Sequence, residues 1–181
     1  MQFINQNKDR WHALGGEDGP PVSINAEPYL LLDLPQWHAA RAQWPATVPV
    51  GLKLANDADV EDLAADLPRI ALVVLHFPKW TDGRAYSQAR LLRSRYRFTG
   101  EVRATGEVLV DMVPLLARTG FDAVTLRSDQ SVEVAERALA LFSGHYQGDV
   151  RDNRPLFAHP PGTGDALARA AREFVNAGAS I

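Results

Sequence analysis

Residues 70–75, Ile-Ala-Leu-Val-Val-Leu, are six apolar residues in a row with no alternation. A strand with one wet face alternates apolar and polar residues, so this run reads as a strand buried on both faces. Such strands lie in the middle of parallel sheets, whose neighbouring strands must be joined by crossovers, usually helical. The flanking sequence supplies both parts. Residues 29–32 and 49–54 read as strands before the run, and 101–104 and 121–126 as strands after it. Helical periods fall between them. Pro35 opens a segment with Trp37, Ala40 and Trp44 on one face. Asn56 or Asp57 can cap a second, whose stripe is Val60, Leu63, Ala64 and Leu67. A third runs over 83–96 with Ala85, Ala89, Leu92 and Tyr96 inward. Leu109, Met112, Val113 and Leu116 mark a fourth, expected to kink at Pro114 and to end at Gly120. Ser131 can cap a fifth with Val132, Ala135, Leu139 and Phe142 on its stripe.

The pattern is α/β: about five β-α units forming a mainly parallel open sheet or an incomplete TIM-like barrel. A complete eight-unit barrel takes ~250 residues, and the chain has 181. The α/β domain is expected over 28–148. An irregular N-terminal arm, 1–27, packs on it, with a Gly/Pro turn cluster at 15–21 suggesting a hairpin between 3–11 and 22–24. A C-terminal extension, 149–181, holds a linker at 159–164 and a short amphipathic helix at 165–176. Open sheet edges and that last helix point to a homodimer.

Composition narrows the chemistry. The chain has no cysteine, which excludes thiolate catalysis and cysteine-ligated metal clusters. The first residues lack a basic and then apolar leader, and no run approaches the ~18 apolar residues of a membrane span. A soluble, cytoplasmic protein with no membrane partner is the expectation. A net charge of −3 argues against a nucleic-acid binder. The charge is uneven, however: residues 76–127 carry nine basic and five acidic side chains. A basic middle in an acidic protein suggests a local anion site, although a solvated arginine-rich helix face gives the same count.

Ligands of parallel α/β sheets bind beyond the carboxyl ends of the strands. Read onto that edge, the loops present Lys53, then His76 to Arg84, then Arg103, then Arg127. Asp82-Gly83-Arg84-Ala85-Tyr86-Ser87 opens a helix, whose free N–H groups favour an anion. Arg84, Ser87, Arg103, Arg127 and Lys53 are therefore expected around one small-oxyanion pocket. A simpler arrangement has Asp82 capping the helix and pairing with Arg84. His76, at a strand end, is a candidate general acid or base, or else a hydrogen-bonded structural group. Trp80, in a polar loop beside the pocket, is a candidate lid.

The competing motifs are absent. No G-x-G-x-x-G opens a helix after a strand, no phosphate loop exists, and no G-x-S-x-G elbow marks a hydrolase. The five histidines are scattered, so no metal site is expected. Redox chemistry in this chain would need a bound flavin, an atypically held nicotinamide, or a partner's cofactor.

The stretch from Asp82 to Arg93, with its D-G-R-x-x-S-x-A-R block, resembles the bacterial domain-of-unknown-function family numbered 934. Tyr96, the segment Phe98-Thr99-Gly100-Glu101-Val102-Arg103-Ala104 and Gly120-Phe121-Asp122-Ala123 carry the resemblance further. It covers about 48–148. Members are commonly encoded beside assimilatory sulfite reductase and carry an oxidoreductase label drawn from that neighbourhood. The resemblance implies an accessory or oxidoreductase-type component of assimilatory sulfite reduction, with sulfite reductase as partner and sulfur oxyanions as ligands. The alternative is a non-catalytic adaptor or sulfur-metabolite sensor that docks on the reductase.

Overall fold

The computed structural model describes residues 1–14, 24–141, 147–150, 152–158, 160 and 162. Among them, seven strands form one sheet: β1 (Gln2–Phe3), β2 (His12–Ala13), β3 (Leu30–Leu32), β4 (Val50–Leu54), β5 (Ile70–Phe77), β6 (Glu101–Gly106) and β7 (Ala123–Val124). The order is β1-β7-β6-β5-β4-β3-β2 and every pairing is parallel. The apolar run at 70–75 is the core of β5, the central strand of the seven, as its composition demands. The sheet curls into an open half-barrel. Four α-helices accompany it: α1 (Leu34–Ala40), α2 (Arg84–Ser94), α3 (Val113–Thr119) and α4 (Val132–Ala140).

The strand register assigns the two faces. Leu32, Leu52, Leu54, Val73, Leu75, Phe77, Val102 and Val124 join the main core with Trp37, Leu92, Leu116 and Phe121. The alternate residues, Leu72 and Val74, form a second, smaller cluster on the concave face with Trp11, against which Leu31 and Tyr29 pack. Gly51 makes that cluster possible. A Cβ there would lie 3.0 Å from the Trp11 ring and 3.1 Å from Leu31 Cδ1, so only glycine lets the indole lie against β4.

The local elements depart from expectation in three places. The stripe at 60–67 is not one α-helix but two 3-10 turns, Val60–Leu63 and Leu67–Arg69, and Asp59 rather than Asn56 or Asp57 caps the first. Val60 and Leu63 are three apart, which suits the 3.0-residue turn as well as the 3.6-residue one. Pro114 does not kink a helix: a 3-10 turn (Val110–Met112) precedes α3, and Pro114 occupies its first turn, where its missing N–H is no loss. α3 ends at Gly120 in the left-handed conformation, and Ser131 caps α4 by accepting from Val134 N. The third departure is the arm. Its two strands, two residues each, pair at opposite edges of the sheet, β1 with β7 and β2 with β3. The turn cluster 15–21, residues 22–23, Phe142 and the terminal helix 165–176 lie outside the described residues, as does most of the linker 159–164. Among the described residues, no helix is long and apolar enough to cross a membrane.

Candidate functional site

The carboxyl ends of β4, β5 and β6 present one row of polar groups on the concave face. In a parallel ladder, residues in register share a face, as do residues two apart in one strand. Lys53 is in register with Val74, Val74 with Arg103, and His76 with Thr105. Lys53, His76 and Thr105 are thus the concave-face residues nearest the strand ends. Lys53 is exposed and His76 half-buried. The His76 ring rests on the backbone of Gly106, where a Cβ would stand 2.8 Å from its Cε1 and 2.9 Å from its Nδ1. Burial, then the charge of Lys53, lowers the His76 pKa from its ordinary 6.5 and favours the neutral imidazole. Neither side chain has a carboxylate partner among the described residues.

The three arginines expected beside them are placed differently. Arg84 Nη2 meets Asp82 Oδ2 at 2.7 Å, and Asp82 also accepts from Arg84 N at 3.2 Å and from Asn56 Nδ2 at 2.6 Å. The pairing of the simpler arrangement is thus present, although Gly83 rather than Asp82 stands at the N-cap, and it holds the Asp82 carboxyl down at about 2, chiefly through the Arg84 side chain. Arg127 is forked onto Asp129 (2.6 and 2.7 Å) and reaches Glu107 at 2.8 Å, which raises its pKa further and lowers Asp129 to about 2. Arg103 points away from the strand ends. It is 4% exposed and bonds Glu101 Oε1 at 2.8 Å and Asp9 of the arm. The three guanidinium groups share no partner, and each is paired with carboxylates of its own. Ser87 is exposed on α2. Trp80 is 57% exposed and has no ring partner among the described residues.

A signal for these pairings stands in the sequence: Asp82-x-Arg84, Glu101-x-Arg103 and Arg127-x-Asp129 each place an acid two residues from an arginine. Within a strand that spacing puts both groups on one face. Lys53 and His76 have no acid at that spacing, and of the basic groups expected around the pocket they are the two without a carboxylate partner among the described residues. Sequence reasoning also missed two polar tethers on α2. Gln88, 5% exposed, donates to the carbonyls of Ala55 and Ala58, both at 2.9 Å, and so fastens the loop after β4. Arg93 donates to the carbonyls of Gly120, Phe98 and Gly100 and pairs with Asp122, tying three chain segments at the opposite end of the sheet. Among the described residues, no cluster of three His, Asp or Glu side chains is placed to hold a metal ion.

Fold and site together define an α/β half-barrel protein whose polar rim is largely neutralised internally, with a Lys–His pair left open at the strand ends. A family model described as "Bacterial protein of unknown function (DUF934)" matches residues 51–157, more than half of the chain, and the protein belongs to this family. The match begins in β4, so the arm, β3 and α1 lie outside it. No curated protein matches the chain.

Proposed function

We propose that the protein binds a small oxyanion at the carboxyl ends of β4–β6, through Lys53, His76 and Thr105, and serves assimilatory sulfite reduction in the cytoplasm as an accessory or oxidoreductase-type component. One observation carries the binding site: Lys53 and His76 adjoin on the concave face without a carboxylate partner among the described residues, while Arg84, Arg103 and Arg127 are each paired with carboxylates. The sulfur oxyanion and the reductase partner rest on the family resemblance. An oxyanion beside Lys53 offsets its positive charge and supplies a hydrogen-bond acceptor. Both effects raise the His76 pKa and make the imidazolium a donor to an anion oxygen. His76 is then suited to protonate that oxygen, with electrons supplied by a partner or a bound cofactor.

The adaptor reading draws on a different feature. Leu115 of α3 and Val132, Val134 and Leu141 on or beside α4 are 40–68% exposed on two helices that pack together. Exposed apolar side chains of this size are what a docking partner would cover. Calorimetric titration with sulfite, sulfate and phosphate tests the site, and co-purification with sulfite reductase, with turnover measured with and without this chain, tests the role. Saturable oxyanion binding that Lys53→Ala abolishes is expected. Absence of oxyanion binding by the parent protein refutes the site. A reductase indifferent to this chain in both capture and rate refutes the role.

A further inference from the structure

The arm leaves β1 at one edge of the sheet and enters β2 at the other, so residues 4–11 bridge the two edges. Helices pack on one face, and Asp9 meets Arg103 and Trp11 meets Leu72 and Val74 on the concave one. The arm therefore crosses the concave face. Between it and β6 lies an open cleft of about 550 Å³, within the ~300–1,000 Å³ of small-molecule sites.

Its floor is Arg103. Sheet packing gives no reason for a charge there, since the residues in register on either side are Val74 and Ala123. Burying a guanidinium costs several kcal/mol unless every donor is used. Here Nε is held by Glu101 and Nη1 by Asp9, while Nη2 has no partner among the described residues and is not among the unpartnered atoms sealed from solvent. The two carboxylates orient the group, and its remaining donors face the cleft that Arg103 lines. On the rim stand Lys8 and Arg10, both exposed, neither with an ion pair among the described residues. Three cations against the carboxylates of Asp9 and Glu101 leave one positive charge. Ile4, half-buried on the cleft wall, supplies apolar surface, while the Phe3 side chain packs on the main core behind the sheet.

We propose that this cleft binds a small organic monoanion, a carboxylate on a short apolar chain, with its headgroup on Arg103 Nη2 and its chain along Ile4. The site is separate from the Lys53–His76 row and does not depend on that reading. Butyrate is the probe, with sulfate as the bare oxyanion, each titrated calorimetrically into the full-length chain. Saturable butyrate binding is expected. The double variant Lys8→Ala/Arg10→Ala, on exposed positions, should weaken it by about 10-fold or more. Lys53→Ala should leave it unchanged. Arg103→Lys, where circular dichroism and melting show a native fold, should lose at least the same factor; where it does not fold, the rim double variant decides. No saturable butyrate binding, binding indifferent to the rim variant, or binding lost in Lys53→Ala overturns the proposal.

Discussion

Replacing Gly106 by alanine should damage both the fold and the His76 site. Gly106 has φ +96°, a region in which L-residues are strained by roughly 1–2 kcal/mol. The added Cβ would lie 2.3 Å from the carbonyl oxygen of Phe77. That oxygen is backbone at the end of the central strand, so no rotamer change relieves the clash. It also accepts from Glu107 N at 2.9 Å, a bond that any retreat weakens. Overpacking of this kind costs ~1–3 kcal/mol, and with the strain the total is about 2–5 kcal/mol. At ~2–4 °C per kcal/mol for a chain of this size, the midpoint should fall by roughly 4–20 °C. Gly83→Ala is the control: its φ is −86°, and the nearest atom to a new Cβ is Tyr86 Cδ2 at 3.8 Å. Urea unfolding of both variants, with the His76 ring followed by NMR, checks the argument. A Gly106→Ala protein within about 0.5 kcal/mol of the parent, a size typical of surface changes, would refute it. So would equal losses in both variants.

Three further outcomes are expected. Arg93→Lys cannot reproduce a fork onto three carbonyls and a carboxylate, and should cost about 2–4 kcal/mol in urea unfolding; a loss under ~0.5 kcal/mol would show those bonds to be incidental. Asp82 is held at about 2, below its ordinary 3.8, so its contribution is present above pH 3.8 and disappears as pH falls towards 2; melting of Asp82→Asn should be flatter across that window, and an unchanged slope contradicts the pairing. His76 is held below 6.5, so an anion that restores its proton should bind more tightly as pH falls below 6.5; sulfate titrations should show this rise, and His76→Asn should remove it.

How much of this was legible follows from what each residue's neighbours demanded. The run at 70–75 could satisfy its apolar groups only by burial on both faces, and it became the central strand. The helix at 84–94 carries four buried positions, Ala85, Gln88, Ala89 and Leu92, and three of them are apolar at helical spacing. The segment 57–69 was read as one helix because its stripe fits, but other groups claimed its backbone. Gln88 takes the Ala55 and Ala58 carbonyls, and Asp59 caps one turn only. The arm gave no periodic signal, since two-residue strands are too short to show one and are defined by the edges they join. At the site, the charges were visible but their compensation was not. Asp9, one partner of Arg103, is 94 residues away in sequence.

That compensation decides what kind of ligand the strand ends can take. A surface that recognises a long polyanion needs many uncommitted cations along a track. Here Arg84 pairs with Asp82 and Arg127 with Glu107 and Asp129, and Arg103 is turned away from the strand ends towards Glu101 and Asp9. A ligand competing for them would have to displace carboxylates that cost it as much as it gained. Lys53 and His76 ask for no such exchange. On the proposed reading, one full positive charge beside an imidazole that can take up a proton suits a small mono- or dianion. The row spans three neighbouring strands, β4, β5 and β6, so a ligand that reaches Lys53, His76 and Thr105 together would draw one group from each.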